Sequence, residues 1–285
     1  ASLVGSEMCI RDRLYPVEPQ AHKLFTNNIF NSIFIYIIVS IMATVRILKT
    51  DISVTNINEV SEILINEKKI YTAICNANTL VRCYKDENLN KIINSFSIKC
   101  PDGFPVAKAS KILYKNKQER VDGYKLFLET IKAGLNKKTT HYFYGNNEFT
   151  TKKMIEKLEK LYPGINISGY YCPPILDSDQ LLEREHVEDL LDKKPDIIWV
   201  SLGFPKQERF INFFREAYNL DSNMIGVGAV FEWVAGTKYK APEWIANLGF
   251  EWVLRLVQEP KRLFRRYLVD NFFFIIYFIR QYLSR

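Results

Sequence analysis

From Val45 to about residue 243, short apolar runs alternate with amphipathic stretches, and this alternation constrains the fold more than any other feature of the sequence. The apolar runs are typical of buried strands and comprise Tyr71–Cys75, Thr140–Tyr144, Ile165–Ser168, Ile197–Ser201 and Met224–Val227. The amphipathic stretches predict helices over Asn56–Asn66, Asp122–Ala133, Thr150–Leu161, Asp179–Leu191 and Lys206–Glu216. This order predicts an α/β fold with a Rossmann-like, mostly parallel sheet flanked by helices. Ligands of such sheets bind in the loops at the carboxyl ends of the strands.

The C-terminal part, residues 244–285, has helical patterns only and is strongly basic. Arg255–Arg285 carries seven basic and two acidic residues, and therefore most of the chain's net charge of +7. Pro260 must end one helix or begin the next, because it has no amide hydrogen. The run Phe272–Ile279 is too apolar for water and too short to span a bilayer. We expect a basic, amphipathic helical appendage at a membrane surface. Nucleic acid is the competing anionic partner, but no nucleic-acid recognition motif accompanies the charge.

Residues 1–44 are interpreted as an N-terminal extension that precedes an α/β domain at 45–243. The first 13 residues have no helical or strand periodicity, and Met42 is an equally good candidate for the native start. The apolar run Ile29–Ala43 is short for a spanning helix, so the extension is expected to be non-native or interfacial. The five cysteines lack zinc-site spacing and are expected to be reduced thiols, mostly in the core.

One loop has the composition of a phosphate-binding turn. Gly203 follows the apolar run Ile197–Ser201 directly, and Lys206 and Gln207 stand at the start of the next predicted helix. Glycine lets a ligand approach the backbone, and the free amides at a helix N-terminus favour phosphate. On spacing alone, an ordinary strand-to-helix turn explains this loop equally well.

Three long motifs follow one another in the second half of the chain: Gly203-Phe-Pro-Lys-Gln-Glu208, the glycine-rich segment Ile225–Thr237, and the stretch Lys240–Leu268 with its Gly-Phe-Glu-Trp and Glu-Pro-Lys-Arg-Leu sequences. In sequence and in order they resemble motifs of the WecG/TagA/CpsF glycosyltransferases. The resemblance covers roughly Val45 to Leu268. It implies transfer of an N-acetylhexosamine, N-acetylmannosamine by analogy, from a UDP-sugar to a polyprenyl-diphosphate-linked sugar. The implied setting is surface-polysaccharide or wall-polymer synthesis on the cytoplasmic face of a membrane, by a peripheral protein.

The resemblance also implies functional residues. Asp102, in Cys-Pro-Asp-Gly, matches the family's catalytic aspartate, and Arg120, in Glu-Arg-Val-Asp-Gly, matches an arginine that contacts the nucleotide-sugar. The other residues implied for the donor are Asn76 and Gln207, joined by Gly203 and Lys206 of the loop above. The residues implied for the diphosphate or the acceptor are Arg255, Arg262 and Arg265. The family also suggests a homo-oligomer formed through the sheet domain, whereas membrane contact favours monomers.

The chemistry of these residues fits an inverting displacement. A carboxylate can take the proton of the acceptor hydroxyl, and we expect Asp102 to be this general base. The pair Asp177 and Asp179 matches a metal-binding pattern, but Asp179 is interpreted as a helix N-cap, so neither a metal nor a cofactor is expected. Arginines and helix N-termini would then stabilise the leaving diphosphate.

The sequence departs from the family pattern at three points. Ile74 replaces a threonine, Pro105 stands in the aspartate loop, and Lys125 replaces an aspartate found in many relatives. These changes are interpreted as tuning of the donor or acceptor. The alternative is a catalytically inactive, membrane-associated nucleotide-binding module, which would bind UDP without transferring sugar.

Overall fold

The computed structural model describes residues 42–285, apart from the side chains of Asn247 and Arg266. The interpretation of residues 1–44 as an extension therefore falls almost wholly outside the described residues.

Six parallel strands form the central sheet, and a small antiparallel hairpin precedes them. The hairpin consists of β1 (Thr44–Ile47) and β2 (Thr50–Ser53). The sheet strands are β3 (Tyr71–Cys75), β4 (Ile98–Pro101), β5 (Thr140–Gly145), β6 (Asn166–Tyr171), β7 (Ile197–Ser201) and β8 (Asn223–Gly226). Their spatial order is β4-β3-β8-β7-β5-β6. All neighbouring pairs are parallel, so all six carboxyl ends lie at one edge of the sheet.

Helices connect the strands and cover the sheet. They are α1 (Ile57–Asn66), α2 (Ala77–Lys85), α3 (Glu87–Asn94), α4 (Phe104–Tyr114), α5 (Gly123–Gly134), α6 (Glu148–Leu161), α7 (Arg184–Lys193), α8 (Lys206–Ala217) and α9 (Val230–Ala235). The central strands β7 and β8 are buried at every position, as expected where helices cover both faces of a parallel sheet. The predicted Rossmann-like α/β class is confirmed.

The five predicted strands all form, and two of them, β3 and β7, have the predicted bounds. One helix start was wrong. The helix predicted to begin at Asp179 is preceded by a 3₁₀ turn at Gln180–Leu182, and α7 begins only at Arg184. Asp179 makes no side-chain capping hydrogen bond, because the extended backbone of Glu183 separates the turn from the helix.

The sequence analysis assigned no element to residues 77–114, where α2, α3, β4 and α4 form. Strand β4 is four residues long and contains Lys99, so its apolar pattern is weak. The strand is nevertheless fully buried. The Lys99 ammonium donates a hydrogen bond to the Phe96 carbonyl at 2.7 Å, which lets a lysine lie in the core.

The C-terminal part is helical throughout, as predicted. It contains α10 (Glu243–Asn247), α11 (Glu251–Gln258), α12 (Pro260–Phe264), a π-helical turn at Arg265–Val269 and α13 (Asp270–Leu283). Pro260 is the first residue of α12, where its missing amide costs no helical hydrogen bond.

Helix α13 packs against α2. The Tyr84 and Tyr277 rings stack with centroids 4.2 Å apart, Phe274 is buried, and the Asn78 amide donates to the Asp270 carboxylate. None of the helices in residues 42–285 combines the length and the apolar character that crossing a bilayer requires.

Candidate active site

A cavity of about 440 Å³ opens at the carboxyl edge of the sheet. The residues that follow five strands line it: Asn76 after β3, Asp102 after β4, Asn146 after β5, Leu202 and Gly203 after β7, and Val227 and Gly228 after β8. Because parallel strands place these loops side by side, residues more than a hundred positions apart share one wall. The opposite wall comes from C-terminal helices and contains Glu251, Arg255 and Arg262.

Asp102 is fixed at the end of β4 by backbone contacts. Its amide donates to the Cys75 carbonyl at 2.8 Å, and the carbonyl of Pro101 accepts from the Val121 amide at 2.9 Å. The half-buried carboxyl has a pKa raised to about 7. Burial is the main cause, and the negative charges of Asp122 and Glu251 add to it, while Arg120 and Arg255 act in the opposite direction.

Asp122 is a second aspartate that lines the cavity, and its pKa shifts in the opposite direction. It caps α5 by accepting hydrogen bonds from the amides of Tyr124 and Lys125 at 2.8 and 3.0 Å. Arg120 and Lys240 approach the same carboxylate at 2.9 and 3.2 Å. Burial favours its neutral form, but these partners together hold its pKa below the usual value. The site therefore pairs an ionised acid with one that titrates near neutral pH.

Arg120 lies between the sheet edge and the C-terminal helices. Besides Asp122 it faces Glu251, at 3.6 Å, and donates to the Ala246 carbonyl at 3.2 Å. It lines a smaller adjoining cavity of about 90 Å³, which Asn76, Asp102 and Arg255 also line. The predicted contact of Arg120 with the nucleotide-sugar stays a prediction. In the described structure its guanidinium holds acidic groups in place.

Gln207 organises the loop after β8. Its side-chain oxygen accepts from the Gly228 amide at 3.1 Å, and its side-chain nitrogen donates to Glu208 at 2.9 Å. A β-carbon at Gly226 would lie only 2.6 Å from that nitrogen, so a larger residue there would displace the Gln207 side chain. Gly203 has a φ of +78°, which glycine adopts without strain.

Asn76 has a structural function as well as a place in the cavity. Its side-chain oxygen accepts from the Thr79 amide at 3.2 Å and caps α2. Its neighbour Ile74, one of the departures from the family pattern, also lines the cavity. The departure Lys125 pairs with Glu243 outside the cavity.

Two arginines of the C-terminal helices line the cavity, and different neighbouring side chains hold them there. The Arg255 guanidinium lies 4.9 Å from the Trp233 ring centroid and 5.9 Å from that of Tyr267. Arg262 pairs with Glu259, whose pKa falls to about 2, chiefly through the hydrogen bond from Arg262. Both cations are thus held at the cavity by aromatic or acidic neighbours.

The structure does not bring all predicted residues together. Asn76, Asp102, Gly203, Gln207, Arg255 and Arg262 line the main cavity. Lys206 begins α8 as predicted but does not line this cavity, and Arg265 lines a different one. Asp122, Glu251 and Trp233 line the site without having been assigned a role, although all three stand inside sequences that carried the resemblance.

A metal-binding pattern exists elsewhere. Among the described residues, one group has carboxylate and imidazole atoms within 4.8 Å of one another, namely Glu183, Glu185 and His186. None of the three lines the cavity, and neither does Asp177 or Asp179.

Sequence comparisons identify the family. The sequence model of the "Glycosyl transferase WecG/TagA/CpsF family" matches residues 45–285. The chain belongs to this family of glycosyltransferases. The match includes both the sheet domain and the helices that close the WecG/TagA/CpsF cavity, and it confirms the resemblance drawn from the three motifs.

Individual relatives share one name, "N-acetylglucosaminyldiphosphoundecaprenol N-acetyl-beta-D-mannosaminyltransferase". The Bacillus subtilis (strain 168) protein is 30% identical over 178 residues, which is 62% of this chain and 67% of that protein. The Bacillus spizizenii protein is 31% identical over 171 residues, or 60% and 64% of the two chains. The Staphylococcus aureus (strain MW2) protein is 31% identical over 176 residues, or 61% and 66%. The matches thus span about two thirds of the length of these WecG/TagA/CpsF members.

Proposed function

We propose that this protein transfers N-acetylmannosamine from its UDP form to a polyprenyl-diphosphate-linked sugar, with inversion at the anomeric carbon. The observation that carries the proposal is the position of Asp102. Its carboxyl lines the cavity of a known glycosyltransferase family, and its pKa of about 7 suits a general base. The relatives are named for transfer of N-acetyl-beta-D-mannosamine to N-acetylglucosaminyldiphosphoundecaprenol, which supports this donor sugar and this acceptor class.

In the proposed step, the Asp102 carboxylate accepts the proton of the acceptor hydroxyl. The oxygen then forms a bond to the anomeric carbon as the bond from that carbon to the UDP oxygen breaks. Direct attack from the face opposite the leaving group inverts the centre. UDP leaves with the electron pair of the broken bond, and the proton remains on Asp102 until solvent removes it.

The charge of the leaving diphosphate requires cationic partners. Arg255 and Arg262 line the same cavity as Asp102, and they supply paired hydrogen-bond donors for phosphate oxygens. Asn76, Gly203 and Gln207 surround the cavity from the sheet side and are proposed to contact the donor. Arg120 is proposed to orient the two acids rather than to carry the phosphate.

A prenyl-linked acceptor places the protein at a membrane, and α13 has the matching surface. Its exposed apolar side chains recur at helical spacing on one face and are Phe272, Ile275, Ile276, Ile279, Tyr282 and Leu283. We propose peripheral association of this face with the cytoplasmic leaflet, where UDP-sugars are available.

The decisive experiment compares the wild type with Asp102→Asn. Each protein is incubated with a panel of UDP-sugars and a short-chain prenyl-diphosphate sugar, and products are measured by mass spectrometry. We expect wild-type transfer from UDP-N-acetylmannosamine and a loss of at least a hundredfold in the variant, because general-base catalysis contributes about 10²–10⁴-fold. UDP affinity should change little. Asp192→Asn, at an exposed position of α7, is the matched control.

Near-normal turnover by Asp102→Asn would show that Asp102 is not the general base. UDP binding by the wild type without transfer from any donor would instead favour the inactive nucleotide-binding module.

A further inference from the structure

A second cavity, of about 550 Å³, adjoins the first. Phe204 and Arg262 line both cavities and form the border between them. The second cavity is lined by four cationic side chains: Arg82 and Lys85 of α2, Arg262 of α12 and Arg265 of the π-helical turn. It therefore combines α2 with C-terminal elements that are far from it in the sequence. Neither Arg82 nor Lys85 stands in a motif that the sequence analysis identified.

In the part of the chain that the structure describes, the two carboxylates that line this cavity form no ion pair with its cations. Asp270 accepts a hydrogen bond from the Asn78 amide, and Asp86 caps α3 while facing Arg209 at 3.5 Å. Within residues 42–285, the guanidinium groups of Arg82 and Arg265 have no hydrogen-bond or ion-pair partner. The Lys85 ammonium lies 3.9 Å from the Phe273 ring centroid, which holds it near the cavity wall. The cavity is thus a cationic surface prepared for an anion.

An apolar surface begins where this cavity ends. Asp270 lines the cavity and is the first residue of α13, and Phe272, two residues later, is 62% exposed. The exposed apolar face of α13 continues from there to Leu283. A ligand with a charged head and a long apolar tail would match both surfaces at once.

We propose that Arg82 and Lys85, together with Arg265, bind the diphosphate of the prenyl-linked acceptor, while Arg255 faces the diphosphate of the donor. This inference rests on the proposed function, in which both substrates carry a diphosphate. Two such groups repel each other, so separate cationic cavities allow both to bind. The sugar of the acceptor then passes the border at Phe204 and Arg262 and brings its hydroxyl to Asp102. The prenyl chain leaves along α13.

A binding measurement tests the site without requiring turnover. The probe is farnesyl diphosphate, kept below the concentration at which it forms micelles, and its Kd is measured by titration calorimetry. In the double variant Arg82→Gln/Lys85→Gln we expect this Kd to rise at least tenfold, because charge-assisted hydrogen bonds to phosphate are lost. The Kd for UDP should stay within twofold. Lys91→Gln, which removes an exposed positive charge from α3, should leave both values unchanged.

The fold of the double variant is checked by circular dichroism, and both substituted side chains are exposed. Two results would overturn the site: no binding of farnesyl diphosphate to the wild type, or equal affinity in the double variant. A parallel rise in the Kd for UDP would instead place Arg82 and Lys85 in the donor site, and would also contradict the proposal.

Membrane headgroups carry the same phosphate chemistry, so a second comparison separates the two sources. Sedimentation with phosphatidylglycerol vesicles and with phosphatidylcholine vesicles is measured for both proteins. A double variant that loses binding to anionic vesicles but keeps its affinity for farnesyl diphosphate would assign the cations to lipid headgroups. In transfer assays, we expect a raised KM for the acceptor with an unchanged KM for the donor. If wild-type transfer is absent while the loss of farnesyl diphosphate binding persists, the proposed reaction fails but the site stands.

Discussion

At the scale of single residues, the cavity is defined by two aspartates with opposite pKa shifts. Asp122 is almost fully buried yet stays ionised, because it caps a helix and pairs with two cations. Asp102 lacks such partners, and burial raises its pKa to about 7. This difference follows from the surroundings and not from the residue type, and it supports the proposal that Asp102 is the base.

The pH dependence of the reaction should reflect the deprotonation of the Asp102 carboxyl. A general base acts in its deprotonated form, so kcat/KM is expected to rise with pH through about pH 7. Glu251→Gln removes a negative charge that raises the pKa of Asp102, and the midpoint of this rise should therefore move to lower pH. Glu243→Gln, at an exposed position, is the control. A midpoint unaffected by Glu251→Gln would show that another group controls the profile.

As pH rises towards 7, the free energy of unfolding should fall, whereas kcat/KM should rise. Between an ordinary pKa of 3.8 and a folded-state pKa of about 7, the folded protein binds a proton at Asp102 that the unfolded chain does not. The stability associated with this proton is present below pH 4 and is lost as pH rises through 7. Asp102→Asn should therefore be more stable than the wild type at pH 8, on the order of 2 kcal/mol, with the gap closing towards pH 4. Thermal unfolding across this pH range provides the measurement, and a gap independent of pH would contradict it.

At the scale of elements, α13 has two apolar faces with different functions. One face packs on α2 through Phe274 and Tyr277, and the end of the helix is tied to the β1–β2 hairpin by hydrogen bonds from and to Gln281. The other face is exposed. The apolar run Phe272–Ile279 was predicted to be interfacial, and for its exposed side chains this stays a prediction.

Substitutions on the two faces should separate folding from membrane contact. Phe274→Ala is expected to lower the free energy of unfolding by about 3–5 kcal/mol, because it leaves a cavity in the packed face. The pair Phe272→Ser and Ile279→Ser should change stability by less than about 1 kcal/mol while markedly reducing sedimentation with vesicles. Unchanged vesicle binding in the exposed-face variant would show that this face of α13 is not the membrane contact.

At the scale of the whole molecule, the cavity exists only where the sheet edge meets the C-terminal helices. Asp102 and Gln207 come from one side, and Glu251, Arg255 and Arg262 from the other. Helix α11 has no fully buried residue, although Glu251–Leu256 are partly buried. The predicted boundary at residue 243/244 therefore passes through the site, and it stays a prediction as a domain boundary.

Nucleotide binding should accordingly change amide hydrogen exchange on both sides of that boundary. We expect UDP to slow amide hydrogen exchange in α11 and α12 and in the loop at residues 201–207, because one ligand contacts all three. Helix α6 lies outside the cavity lining and should exchange at an unchanged rate. Protection confined to the sheet loops would mean that the C-terminal helices do not close on the nucleotide.

The sequence by itself determined the sheet and the family. Buried parallel strands need continuous apolar runs, so the bounds of β3 and β7 could be predicted from the sequence. Glycine, proline and aspartate residues indicated the candidate functional loops. Local patterns limited Pro260 to the end of one helix or the start of the next, and the structure has it at the start. Weak local signals were missed, as in β4 with its buried Lys99.

Only the tertiary structure decided which charged side chains lie close together. No periodicity relates Asp102 to Glu251, or Arg82 to Arg265, because each pair lies more than a hundred residues apart. Their proximity depends on how helices pack on the sheet, and pKa values depend on that proximity and on burial. The same packing left Arg265 and Lys206 outside the main cavity. Spacing along the chain specifies elements, whereas the electrostatic field of a site is a property of the folded molecule.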